Sequence, residues 1–159
     1  MKGDADVIEL LNEVLTSELT AINQYFIHSK MCEDWGYHRI AKKKREESIE
    51  EMHHADWVIA RILFLEGVPN MQRLFPVKVG ESVPEQHELD LALELEARDR
   101  LNRGIELARD KKDNNTAELL EKILENEEEG IDWLETHLHV IGEIGKERYL
   151  AEQLGEGEG

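Results

Sequence analysis

Positive charge is scarce in this chain: 19 Lys and Arg stand against 36 Asp and Glu, a formal charge of −17. Affinity for nucleic acid comes mainly from Lys and Arg on phosphates, so no nucleic-acid partner is expected. Cysteine is nearly absent as well. Cys32 alone builds no intrachain disulfide framework, which suits a reducing, cytoplasmic setting. Proline is confined to Pro69, Pro76 and Pro84, leaving both flanks of that stretch free of strong helix breakers. No apolar run is long enough for a bilayer, because Val58 to Leu65 is short and carries Arg61, and residues 1–6 hold no apolar signal region. Neither a membrane nor a secreted protein is expected.

What is present is helical patterning. Hydrophobic residues at 40% and charged ones at 35% suffice for one soluble helical domain over residues 1–159. The fold class read from the spacing is all-α: two helices, a long connection, then two more. The first runs from about Asp6 to Glu33, and Trp35-Gly36-Tyr37 makes a tight corner. The second runs from about His38 to Leu65, with Ile40, Glu47, Glu51, His54, Val58 and Ile62 facing inward. Residues 66–82 are long enough for one crossover between parallel helices of a bundle. Ser82-Val83-Pro84-Glu85 reads as a capping box opening the third helix. Asn115 with Glu118 offers an N-cap signature for the fourth, which Gly142 and Gly145 close. The bundle covers about 5–144, a short fifth helix about 146–154, and a tail 155–159 has no means of packing.

Glu18, Glu51, Glu94 and Glu127 fall on otherwise apolar stripes, one per helix and each near its middle. A carboxylate turned toward a bundle core is costly unless it pairs or binds a cation. Two divalent metals supply four positive charges against these four negative ones. His54, three residues after Glu51, adds an imidazole, and that donor set suits iron or manganese, with zinc also able to bind. A lone Glu-x-x-His is weak evidence; Glu50-x-x-His53 matches too, but lies off the inward stripe. Agreement across four helices is what points to a metal site.

Tyr25 lies two turns after Glu18 on the same face. It either packs with its hydroxyl bonded, or donates to a metal-bound carboxylate or an electron to an intermediate. Met52 points outward from the second helix, as a residue at a subunit interface or a soft axial ligand to haem iron. Trp35, Trp57 and Trp133 read as core or interface anchors.

The strings Met1-Lys2-Gly3-Asp4, Leu19-Thr20-Ala21-Ile22-Asn23-Gln24-Tyr25 and Arg45-Glu46-Glu47-Ser48-Ile49-Glu50-Glu51-Met52 resemble the bacterioferritins, the haem-containing branch of the ferritins. Arg61 to Gly67 and Ile131 to Thr136 carry the likeness through essentially the whole chain. The resemblance implies a ferritin-like four-helix bundle with a short fifth helix, assembled as a cage of 24 copies around a ferric mineral. It implies ferroxidase activity: Glu18 and His54 as ligands to one iron, Glu51 and Glu127 as bridges, and Glu94 as a terminal ligand to the second. It also implies haem b held by Met52 from each of two subunits across a two-fold axis. A ferredoxin-type protein is the implied electron donor. Glu46, Glu47 and Glu50 resemble acidic inner-surface positions that relay or nucleate iron.

One position departs from that pattern. Gly130 stands where the family calls for a histidine on the second iron, and His137 and His139 lie too far along the helix to replace it. The expected centre therefore has one normal and one weakened iron position and a slower oxidation. The competing expectation is a haem-binding structural subunit of a mixed cage, with ferroxidation left to a partner chain. A DNA-protecting mini-ferritin fits less well, given the charge, Met52 and the fifth-helix segment.

Overall fold

The computed structural model describes residues 1–155; of the expected tail, residues 156–159 lie outside the described residues. Four long helices form the molecule: α1 (Ala5–Asp34), α2 (His38–Phe64), α3 (Val83–Asp110) and α4 (Asn114–Ile144), followed by a short α5 (Lys146–Ala151). The α1–α2 and α3–α4 connections are tight, so each pair is an antiparallel hairpin. Residues 65–82 then run the length of the bundle as one crossover, making α2 parallel to α3 and antiparallel to α4.

The ends of the helices follow local chemistry. Asp4 opens α1 by accepting hydrogen bonds from the Asp6 and Val7 amides. Gly36, at φ +90°, turns the corner into α2 as the sequence suggests. Ser82 caps α3 through the Glu85 amide, with Pro84 in the first turn. The cap of α4 is Asp113 rather than Asn115: its carboxylate accepts from the Thr116 amide and hydroxyl, and the helix begins two residues earlier than the Asn115 signature implies. Gly142 is absorbed into α4, and only Gly145, at φ +86°, ends it. The fifth helix stops at Ala151, short of the expected Leu154.

Two apolar clusters lie toward opposite ends of the bundle. One joins Leu11, Leu15, Val58, Ile62, Leu101 and Ile123; the other joins Cys32, Ile40, Val83 and Tyr149, so α5 docks on the second. The polar inward positions lie between them along the helices. Among the described residues no helix is long and apolar enough to cross a membrane.

Candidate metal centre

Each of four helices turns one glutamate into the interior, where Glu18, Glu51, Glu94 and Glu127 are at most 3% exposed and His54 is 1% exposed. The helical period explains this directly: each occupies the place an apolar residue takes one turn above or below it. Glu18, Glu51, His54 and Glu127 offer ligand atoms that all lie within 4.8 Å of one another. His54 Nδ1 is 3.4 Å from an oxygen of each of Glu18, Glu51 and Glu127. Ligands about 2.1 Å from a shared ion are spaced about that far apart at tetrahedral angles.

Glu18 Oε2, His54 Nδ1 and both oxygens of Glu127 are buried with no hydrogen-bond partner among the described residues. Orphaned buried polar atoms are rare and costly, and four converging on one point match the donor set of a divalent cation. Without a cation, protons offset part of this crowded negative charge. Burial, then the neighbouring Glu127 and Glu18 charges, pushes the Glu51 carboxyl well above the usual range. Burial and the charge on Glu18 raise Glu127 likewise. Burial lowers the pKa of His54, but the Glu127 and Glu18 carboxylates overcome it and hold the imidazole at about 10. Metal binding here displaces protons.

Glu94 stands apart from that group of four. Its Oε1 accepts a 2.7 Å hydrogen bond from the Tyr25 hydroxyl, so Tyr25 both packs in the interior, 1% exposed, and donates to an inward carboxylate. Gly130 is buried on α4, one turn beyond Glu127, and among the described residues a Cβ there would meet only carboxylate oxygens of Glu47 and Glu94 within 4 Å.

The remaining sequence candidates separate by depth. Met52 is 48% exposed on the outer face of α2, its thioether clear of the metal-binding group. Glu46 is a surface residue beside Lys42. Glu47 is turned further inward and pairs with Lys43 at 3.0 Å. Glu50 stands behind His54: its Oε1 is 3.5 Å from Nε2 and accepts from Asn126 Nδ2 at 3.0 Å. Asn126 Nδ2 also lies 3.1 Å from His54 Nε2. Glu50 and Asn126 thus orient the ring so that Nδ1 faces the carboxylates. Sequence reading missed Asn126, which sits 100° off the inward stripe beside Glu127.

A family model described as a ferritin-like domain matches residues 8–144. A bacterioferritin of Mycobacterium leprae is 54% identical over 152 residues, covering 96% of this chain and 96% of its own. One from Streptomyces coelicolor is 53% identical over 151 residues, covering 95% of this chain and 90% of its own. Another, from Brucella melitensis, is 48% identical over 149 residues, covering 94% and 92%.

Proposed function

This chain belongs to the bacterioferritins, within the ferritin-like family, and from that membership we propose that it stores iron, oxidising Fe(II) to Fe(III) inside its own four-helix bundle. The observation that carries the reading is the set of orphaned buried atoms on Glu18, His54 and Glu127, for which the described residues supply no hydrogen-bond partner. Iron is the substrate here. Two Fe(II) ions give up one electron each, one dioxygen takes both, and two protons complete hydrogen peroxide.

The residues divide that work by position. Glu18 and His54 hold one iron, Glu51 and Glu127 lie between the two positions, and Glu94 serves the second. Two divalent ions supply four positive charges against the four carboxylates. Tyr25 fixes Glu94 through its hydroxyl and is near enough to the site to give an electron. Ferric product passes to a mineral inside a cage of 24 copies. Met52, exposed on α2, faces outward as one of two thioether ligands to a haem b shared with a second copy, a route for electrons from a ferredoxin-type donor.

Gly130 favours a second reading, in which this subunit serves mainly as scaffold and haem carrier in a mixed cage. The two are separated by stopped-flow absorbance after mixing metal-free protein with two Fe(II) per subunit and oxygen. We expect a ferric phase in the parent chain and a faster one in Gly130→His. A parent trace no faster than oxidation in buffer, with a fast phase only in Gly130→His, assigns the chain to the scaffold role.

A further inference from the structure

Gly130 leaves a gap where the second iron would take its last protein ligand, and two carboxylates border it. A Cβ built on Gly130 would lie 3.7 Å from Glu47 Oε2 and 3.8 Å from Glu94 Oε2, with no other contact within 4 Å among the described residues. Had the loss of a side chain at 130 been absorbed as packing, an apolar group would fill the space. Instead acidic oxygens face it. We infer that Glu47 supplies the ligand that position 130 lacks, so that the second metal ion is held by Glu94 and Glu47 together with the shared Glu51 and Glu127. This rests on the iron-centre reading above.

The register of the helices supports it. α2 and α4 run antiparallel, so stepping one turn back from Glu51 on α2 corresponds to stepping one turn forward from Glu127 on α4. Those steps arrive at Glu47 and Gly130. Each of the two carboxylates has one oxygen engaged elsewhere and the other turned to the gap. Glu94 Oε1 is held by Tyr25, and Glu47 Oε1 by Lys43 at 3.0 Å, while both Oε2 atoms face Gly130.

Burial agrees with this. The Glu47 side chain is 19% exposed, against 53% for Glu46 and 42% for Glu50. Exchanging a neutral imidazole for a carboxylate adds one negative charge, and the Lys43 ammonium beside Glu47 offsets it. A hard oxygen donor suits iron as well as the imidazole it replaces. The site is thus complete by a different route, with the fifth carboxylate coming from α2 rather than the missing ligand from α4.

The test uses Co(II) as an oxidation-inert probe, titrated without oxygen into metal-free full-length protein. Bound metal is read by equilibrium dialysis and coordination by visible absorption. We expect two Co(II) per subunit in the parent, one in Glu47→Gln, and two again in Glu47→Gln combined with Gly130→His. The restored second equivalent would show that the single variant is folded and lacks only a donor. Two Co(II) retained in Glu47→Gln overturns the assignment, and so does a parent that binds one and gains a second only through Gly130→His. Failure of the parent to bind any Co(II) removes the metal centre itself, and Glu47's part with it.

Discussion

His87 is fully buried between a cation and a phenol: Lys44 Nζ donates to its Nδ1, and its Nε2 meets the Tyr149 hydroxyl, both at 2.9 Å. Asp90, bonded also to Gln24 and His28, balances the Lys44 ammonium, and His137 closes the chain on Tyr149. Burial and then the Lys44 charge lower His87 to about 2, outweighing the Asp90 carboxylate. Since the unfolded chain has an ordinary imidazole, the contribution of His87 to stability is complete above about pH 6.5 and falls as acid protonates only the unfolded state. The loss should approach 1.4 kcal/mol per pH unit between about pH 6 and 4. Urea unfolding across that range should show a slope shallower by about one proton in His87→Gln than in the parent; equal slopes would mean that His87 charges in the fold. Little of this cluster was legible. Lys44 hides in Lys42-Lys43-Lys44-Arg45, which reads as a solvated run, although it shares a stripe with Ile40, Ser48 and Glu51. His87 and Asp90 fall on the same stripe as Glu94 and Leu101, yet a polar pair there announces no partner until the fold brings Lys44 to it. Glu18, Glu51, His54, Glu94 and Glu127 were legible as inward-facing because each interrupts an apolar stripe at helical spacing.

The crossover is ordered by one face of α1. Asn12, Thr20, Gln24 and His28 lie four or eight residues apart, and each accepts a hydrogen bond from a crossover amide, those of Asn70, Phe75, Lys78 and Gly80 in turn. A connection with no ladder of its own thereby satisfies its backbone along the bundle. Its length was legible from the clustered prolines, but its path was not, because Thr, Gln and Asn on a helix signal only a polar face. At its far end Gly80 comes so close to α3 that an added Cβ would lie 2.6 Å from the Gln86 amide nitrogen and 2.8 Å from its Cα. Backbone cannot yield as a side-chain tip does. Gly80→Ala should therefore cost about 1–3 kcal/mol and free the strap around it. Limited proteolysis would find new cleavage between residues 70 and 80 while the helical circular dichroism stays intact; an unchanged digestion pattern would show that the approach is relieved without cost.

On the scale of the molecule, the exposed apolar surface is uneven. Ser48 Oγ donates to the Ile22 carbonyl at 2.8 Å, joining α1 to α2 at that level. Beside it Ile49 and Met52 stand 42% and 48% exposed on the outer side of α2, with Phe26 at 49% on α1 one turn beyond Ile22. Scattered surface apolar residues need no explanation, but several on one hairpin face mark an interface. A chain with a charge of −17 resists association through its bulk field, so self-assembly needs such a face to overcome like-charge repulsion. Two-fold symmetry would set the same patch against itself, which is the arrangement that gives a shared ligand its pair of thioethers. An acidic residue within that patch would be buried against the second copy without a partner charge. Ile49→Glu should consequently shift sedimentation velocity from the assembled cage to much smaller species, more completely at low salt where the added repulsion is least screened. Helical content should stay at the parent level, because Ile49 does not belong to the subunit core. An intact cage in Ile49→Glu would place the contacts between copies on another face, and with them the second thioether proposed to face Met52.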